Sequence, residues 1–540
     1  MKYTKAQRGR HGLLRATGVP LVLGLLASCS VLIDGSATQC ESDADCASLG
    51  AVCDTQNKVC VKTDTSSGGG GNTTTTPQGG GGSGGATTMT VEGGGGAGGN
   101  TTMTTTSSTS GTTAPPCADP DSPAIEIAGD ISSDFSLTCT NVYVIKGNVH
   151  VTSGATLSIE KGTTIKGAFV PPASDPATVA VLVIDPGAKL NAVGTEDEPI
   201  VFTSEKAQGS KAKGDWGGVV ILGNAPTNHK DVNGNTIQGK VEGIVVGGNF
   251  GGINPDDNSG TLKYVRLEYA GYAIGPNNEL NGFTFGGVGR GTTLDHLQVR
   301  HNDDDCFEFF GGTVNAKYLA CQYPTDDGID WDNGYSGKIQ FAVVQQNPNA
   351  NEDCNGFEGD NDATGTANAP ISHPVIYNAT LCGQNFDQSK VQYGILVRRR
   401  SAATMRNILV SGFETGWDVR NTVDPLVNPI VLQGSVFFGN LANLIAENEP
   451  PGSPQDDDAG FDEIAELNKP ENGNSTADPM LGNCFDPNAP GFGPAVSLTT
   501  GALTPPNDGF FDVTANYTGA FKDAADDWAM KGNWPVWSAQ

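Results

Sequence analysis

Short runs in which apolar and polar residues alternate recur along most of the chain, separated by glycines. The first clear stretch, residues 142–165, reads VYVIKGNVHVTSGATLSIEKGTTI. Alternation with a period of two predicts short β-strands, and the glycines mark the turns between them. The sequence Gly-Ala-Thr-Leu at residues 154–157 returns 33 residues later as Gly-Ala-Lys-Leu at residues 187–190. The pattern therefore predicts an all-β fold built from repeats.

Similar short strands keep returning further along, and no helical pattern separates them. Their starts lie 22 to 37 residues apart, at residues 262–267, 294–299, 316–321, 339–344, 376–381, 405–410 and 432–437. This spacing is typical of the stacked coils of a right-handed parallel β-helix, in which each coil buries its apolar faces against its neighbours. A β-sandwich also explains alternating strands and turns, but not recurrence at coil-like spacing.

Three blocks in this region carry a family resemblance: GDWGGVVILGNAP at 214–226, CFEFFGGTVNAKYL at 306–319 and GKIQF at 337–341. They resemble a large group of secreted bacterial proteins of pectin-lyase-like fold. The C-terminal stretch is similar too, with residues 517–521 followed by Trp528, Trp534 and Trp537. The resemblance spans about residues 130–540 and implies a pectin-lyase-like β-helix. We predict that the terminal aromatic residues form a cap over its last coil.

The first residues are basic and lead into the apolar run of residues 19–26, followed by Ala27, Ser28 and Cys29. A basic segment, a short apolar core and small residues make a secretory signal. Residues 26–29, LASC, resemble the lipobox of bacterial lipoproteins, in which the cysteine becomes the lipidated N-terminus. The sequence thus predicts an exported protein with a lipid on Cys29, anchored to the outer membrane or the cell surface. The alternative is an ordinary signal that happens to contain a cysteine.

Two segments precede the predicted β-helix. Residues 29–61 contain Cys40, Cys46, Cys53 and Cys60, which favour two disulfides in an exported protein, with a zinc site as the alternative. They resemble the Cys-rich knots of myxobacterial lipoproteins. Residues 62–116 are almost wholly Gly, Thr, Ser and Asn, a composition typical of a disordered tether with a reach of roughly 40 Å. The predicted domains are therefore the signal at 1–28, the knot at 29–61, the linker at 62–116 and the capped β-helix at 117–540.

Charge narrows the range of partners. The 31 basic and 60 acidic residues give a formal net charge of −29. Such a chain repels nucleic acid and anionic membranes and attracts divalent cations. The expected partners are the membrane, through the lipid, and a glycan or surface protein, but not nucleic acid.

The densest acidic sequence lies in three successive predicted coils, at residues 303–308, 326–332 and 353–362. Asp304 and Asp326 are 22 residues apart and follow aligned strands, so they should stack on neighbouring coils roughly 4.8 Å apart. Oxygen ligands in such number suit Ca²⁺, although the same residue types also form solvated turns. The candidate ligands are Asp304, Asp305, Asp326, Asp327, Asp330, Asp332 and Asp353.

The same coils offer the groups of a polysaccharide lyase or glycoside hydrolase. Asp304, Asp327 and Asp330 would be the carboxylates, and Arg399 in the run 398–400 would serve as base or bind a uronate. His301 beside the acidic run is the one suggestively placed histidine. The Gly-His-Gly and Arg-Ile-Lys blocks associated with polygalacturonases are absent from the sequence.

The remaining cysteines also predict disulfides. With Cys29 assigned to lipid, eleven of the 12 cysteines remain, so one has no partner within the chain. We expect the pairs Cys117–Cys139, Cys306–Cys321 and Cys354–Cys382, which leave Cys484 unpaired.

The sequence favours a non-catalytic function. It predicts a tethered β-helix that presents a long face to glycan or protein ligands. The alternative is a calcium-assisted lyase or hydrolase acting at the acidic coils, residues 303–362.

Overall fold

The computed structural model describes residues 52–54, 59–61, 115–275, 278–347, 354–384, 392–421, 429–440, 458–526 and 528–538. The predicted signal, the lipid site Cys29, Cys40 and Cys46 of the predicted knot, residues 62–114 of the predicted linker and the candidate ligand Asp353 lie outside them. Among the described residues, no helix is long and apolar enough to cross a membrane.

The chain divides into two compact units, residues 33–115 and a larger unit that contains residues 116–540. The smaller unit includes one described antiparallel hairpin. Its strands are β1, Val52–Asp54, and β2, Val59–Val61, and their register places Cys53 opposite Cys60.

Nearly all of the regular secondary structure described in the larger unit consists of β-strands. In chain order they begin with β3 Ala124–Ala128, β4 Phe135–Leu137, β5 Val142–Lys146, β6 Asn148–Val151, β7 Thr156–Ile159, β8 Thr164–Gly167, β9 Val181–Ile184, β10 Lys189–Val193, β11 Ile200–Ser204, β12 Gly218–Leu222, β13 Gly239–Lys240, β14 Asn249–Phe250, β15 Gly260–Glu268, β16 Ala273–Gly275, β17 Asn278–Glu279 and β18 Phe283–Gly286.

The later strands are β19 Thr293–Arg300, β20 Phe307–Phe310, β21 Asn315–Gln322, β22 Ile329–Asp332, β23 Lys338–Gln345, β24 Phe357–Gly359, β25 Val375–Cys382, β26 Tyr393–Arg398, β27 Ala403–Ser411, β28 Thr415–Arg420, β29 Ile430–Gln433 and β30 Val436–Phe438. One short helix, α1, covers Glu463–Leu467, and 3₁₀ turns cover Pro176–Thr178 and Pro470–Asn472.

Strands from successive coils pair in parallel, as the sequence predicts. One sheet runs from β3 to β29 and a second runs from β6 through β9, β12, β18, β20, β22, β24 and β26 to β28. In the central coils the register advances by 22 residues, so Phe307 pairs with Ile329 and Leu294 with Ala316. The predicted parallel β-helix is therefore confirmed.

Each long strand of the first sheet bends at one left-handed residue. These residues are Tyr264, His296, Tyr318, Phe341, Asn378 and Asn407, with φ between 49° and 64°. The ladder pairs skip them, since Lys263 pairs with Asp295 and Val265 with Leu297. The bend turns one strand into two faces of the column and stacks the bend residues in a row.

Alternate residues of each strand fill one continuous core. Phe283 stacks on Phe307 at 6.0 Å between ring centroids and Phe285 on Phe309 at 5.0 Å. Because side chains on successive strand residues point to opposite faces, the residues between these rings must face outward. This inward packing fixes which residues the second sheet presents on its outer face.

The end of the chain runs along the side of the column, which corrects the predicted cap. Residues 481–538, here called the C-terminal strap, have no helix or strand in their described part. Trp534 and Trp528 pack edge-on against His296 and Tyr318 of the bend row at 5.4 and 5.2 Å. The rings therefore cover the outward-facing bend row. The end of the last coils is covered instead by α1, whose Leu467 joins the main core.

Three disulfides lie in the described residues. Cys117–Cys139 and Cys306–Cys321 are the pairs expected from the sequence. Cys382 pairs with Cys484 across 102 residues, so the predicted Cys354–Cys382 pair and the unpaired Cys484 are wrong. The reason is the path of the strap, which returns to the coil of β25 and brings Cys484 to the end of that strand.

Candidate metal centre

Two rows of polar side chains run along the outer face of the second sheet. The first row lies within the strands, where the inward Phe307, Ile329 and Phe357 are followed by outward residues. The register stacks these outward residues in successive coils, as Glu308, Asp330 and Glu358. All three are buried, with at most 3% of the residue surface exposed.

The second row lies in the turn two residues before each strand and contains Asn281, Asp305, Asp327 and Asn355. Three of its side chains, Asp305, Asp327 and Asn355, accept a hydrogen bond from a backbone amide of the next coil. The Asp327 amide donates to Asp305 Oδ1 at 2.7 Å, and the Asn355 amide donates to Asp327 Oδ1 at 2.6 Å. These bonds fix the orientation of both aspartates and leave the second oxygen of each directed elsewhere.

The ends and the middle of this turn row differ chemically. Asn281 Nδ2 donates to Glu308 Oε2, and Asn355 Nδ2 donates to Glu358 Oε2 at 3.0 Å. The two middle positions are aspartates, which when ionised only accept hydrogen bonds. Asp330 lies between them, and its buried Oδ1 has no hydrogen-bond partner among the described residues. In the middle coils, therefore, carboxylates lie next to one another without an asparagine donor between them.

The aspartates of these coils form two triads. One oxygen from each of Asp304, Asp305 and Asp326 lies within 4.8 Å of the others, and the same holds for Asp305, Asp327 and Asp330. We call these the outer and inner triads, because Asp304 and Asp326 are half-buried while the inner residues are buried. The stacking of Asp304 on Asp326 is the one expected from their spacing.

The pKa values of these carboxyl groups are all raised. Burial, followed by repulsion from neighbouring carboxylates, raises the pKa of Asp305, Asp327 and Asp330 well above the usual range. Burial and Asp326 do the same for the pKa of Asp304. Burial also raises the pKa of Glu358 to about 7, although Arg398 opposes the shift. Ionised carboxylates this close need protons or a cation between them.

The donor set fits a hard divalent cation. Ca²⁺ binds oxygen at about 2.3–2.6 Å, so opposite ligands of one ion are about 4.8 Å apart. Each triad therefore has oxygens close enough to share one ion. Among the described residues, no lysine or arginine lies within ion-pair distance of Asp305, Asp327 or Asp330. The partnerless oxygen of Asp330 is the strongest sign of fit.

Other predicted site residues lie apart from the triads. The Asp332 carboxylate is bonded by the backbone and side chain of Asn333. Arg399 Nη1 contacts Asp360 Oδ2 at 2.7 Å. His301 is buried between the rings of Tyr269 and Tyr323, at 5.4 and 5.7 Å. Arg399 and His301 thus contact groups other than the candidate catalytic carboxylates Asp304, Asp327 and Asp330.

Three residues near the site were not among the candidates predicted from the sequence. The capping asparagines Asn281 and Asn355 resemble ordinary turn residues, although their position two residues before a strand could have marked the row. Glu242 comes from the insertion between β13 and β14, and no sequence signal placed it near the site. Burial and the neighbouring Glu279 raise the pKa of Glu242 to about 8, with further contributions from Asp332 and Asp326.

These features define a parallel β-helix with buried acidic side chains clustered on one outer face. The family model described as pectate-lyase like beta helix domain matches residues 129–478. The chain belongs to this family. No curated protein matches the sequence.

Proposed function

We propose that this is an exported β-helix protein, anchored by a lipid on Cys29, that binds an acidic polysaccharide through calcium without cleaving it. The observation that carries the proposal is the outer triad, in which half-buried Asp304 and Asp326 from neighbouring coils converge on Asp305. An ion there keeps coordination positions on the solvent side, since Ca²⁺ takes six to eight oxygens. Carboxylate and hydroxyl groups of a uronate chain would fill them.

The surroundings support binding rather than catalysis. A lyase needs a basic group that can reach a substrate proton. Arg399 is paired with Asp360, and Arg398 contacts both Glu358 and Asp360. His301 is enclosed by tyrosine rings. The outer triad is thus a place to hold a ligand, with no base directed at it among these candidates.

Retention on immobilised polyuronates tests the proposal. We expect the mature protein to bind polygalacturonate or alginate in calcium and to be released by EDTA. The double variant Asp304→Asn/Asp326→Asn should lose binding at least tenfold. Asp303→Asn is the matched control, because Asp303 shares the turn but pairs with Lys213 at 3.1 Å. Fatty-acid labelling of the cells, lost in Cys29→Ser, tests the anchor.

Two results would count against the proposal. Equal retention in calcium and EDTA would remove the role of the ion. Release of unsaturated or reducing sugar ends by the purified protein would establish turnover and so favour the calcium-assisted lyase or hydrolase.

A further inference from the structure

The acidic cluster contains more negative charge than one divalent ion can balance. The two triads comprise five carboxylates and share only Asp305. If all five are ionised, one Ca²⁺ leaves a net charge of about −3 in a buried region, whereas two ions leave about −1. The shared carboxylate has two oxygens, so it is able to bridge two ions.

The inner triad is oriented in advance for a ligand. Asp305 and Asp327 each use Oδ1 to accept a backbone amide from the next coil, at 2.7 and 2.6 Å. Hydrogen bonds of this kind hold metal ligands in place and are a usual part of a built metal site. Because hydrogen bonds to the backbone already hold both side chains, ion binding does not have to order them.

A second observation, independent of the capping bonds, concerns Asp330, which has a buried oxygen without a hydrogen-bond partner. The residue is 3% exposed, its Oδ1 has no hydrogen-bond partner among the described residues, and its carboxylate lies against those of Asp305 and Asp327. A buried polar atom without a partner is costly. In the flanking coils the acids Glu308 and Glu358 receive an asparagine donor. The inner triad offers Asp330 only carboxylates.

We propose that the centre binds two divalent cations bridged by Asp305, an outer ion that holds the polysaccharide and an inner ion that stabilises the coils. The inference rests on the proposed function for the outer ion and adds the inner one. The inner ion takes the place that an asparagine donor has beside Glu308 and Glu358. It is enclosed by protein, so it should bind more tightly and exchange more slowly than the outer ion.

Calcium stoichiometry on the mature chain tests this inference, by equilibrium dialysis and calorimetric titration with the metal alone. The wild type should bind two ions. Asp330→Asn should bind one and keep calcium-dependent polyuronate retention, but lose most of the calcium-induced rise in Tm. Asp304→Asn/Asp326→Asn should also bind one, keep that rise in Tm, and lose retention. Asp256→Asn, an exposed control on the same protein, should bind two.

The outcomes separate the inner ion from the proposed function. A wild type that binds one ion overturns the inference whichever variant loses it. If that single ion persists in Asp330→Asn and supports retention, the proposed function stands without the inner site. A wild type that binds no ion overturns both. Far-UV circular dichroism establishes whether each variant is folded, and the wild-type stoichiometry decides the question even if Asp330→Asn does not fold.

Discussion

At the scale of single residues, the site depends on which positions of the turn row are acids and which are amides. The turn row reads Asn, Asp, Asp, Asn at positions 281, 305, 327 and 355. Asp305 and Asp327 each accept a next-coil amide through Oδ1, and Asn355 Oδ1 accepts the Tyr393 amide at 3.1 Å in the same way. The two residue types differ in the other terminal atom of the side chain. In asparagine it is a nitrogen that donates, and in ionised aspartate it is an oxygen that accepts. With aspartate at both middle positions, Asp305, Asp327 and Asp330 lie together, where we propose that a cation binds.

Restoring the amide should stabilise the protein in the absence of metal. In Asp327→Asn, Oδ1 can still accept from the Asn355 amide while Nδ2 donates to Asp330. One buried repulsion is lost and one hydrogen bond is gained, so we expect the free energy of unfolding in EDTA at pH 7 to rise by about 1–3 kcal/mol. The calcium-induced stabilisation should shrink. Chemical denaturation with and without calcium measures both.

The control is again Asp256→Asn, whose side chain is 72% exposed and which should change stability by less than about 0.5 kcal/mol. A variant Asp327→Asn that is less stable than the wild type in EDTA would contradict the account. It would mean that Asp327 is satisfied as a carboxylate without any ion.

Residue spacing predicted part of this site. A separation of 22 residues placed Asp304 over Asp326, because one coil advances the register by that number. Spacing alone does not show which of the acidic side chains are already paired with a basic group or a hydrogen-bond donor. Asp332 and Arg399 were candidates by proximity in sequence, yet local bonds to Asn333 and Asp360 occupy them. Those contacts depend on side-chain direction, which the alternation pattern does not resolve.

At the scale of elements, the strap and the bend row depend on each other. Gln298, Gln340 and Asn407 each bind one strap residue at two points, with the amide oxygen accepting from its backbone nitrogen and the amide nitrogen donating to its carbonyl. Trp534 is 1% exposed and lies 6.0 Å from the Tyr264 ring. The strap therefore closes a flank that would otherwise expose a row of rings.

Removing one of these strap rings should be costly. Truncating a buried tryptophan leaves a large cavity, so we expect Trp534→Ala to lower the free energy of unfolding by about 3–5 kcal/mol. Calcium stoichiometry should not change, since the strap rings pack on the other sheet. Urea denaturation measures the stability.

Val496→Ala is the matched control from the same strap, with a side chain 58% exposed and an expected effect under about 0.5 kcal/mol. If Trp534→Ala is as stable as this control, the strap is not integral to the column.

The strap also marks the limit of sequence-based prediction for this fold. Alternation and recurrence identified the coils because they are local patterns. The strap has no period, and its position depends on contacts between residues more than a hundred positions apart, such as Cys382 with Cys484. The aromatic residues were correctly taken as packing residues, but which surface they cover was not readable from the sequence.

At the scale of the whole molecule, buried acids make stability depend on pH. A raised pKa means that the folded protein binds the proton more tightly than the unfolded chain does. The stabilisation is therefore complete below the unfolded pKa of about 4 and is lost as the pH rises through the folded value. For Glu358, whose folded pKa is about 7, the loss falls between about pH 4 and 7. Without metal, stability should decline across this range.

Thermal unfolding of the mature protein at pH 7, in EDTA and in calcium, tests whether the acidic coils bind a cation. We expect a Tm several degrees higher in calcium, because an ion bound only by the folded state stabilises it. The difference should shrink as the pH approaches 4, where protons replace the ion between the carboxyls. An equal Tm in EDTA and in saturating calcium at pH 7 would contradict the claim that these coils form a cation centre.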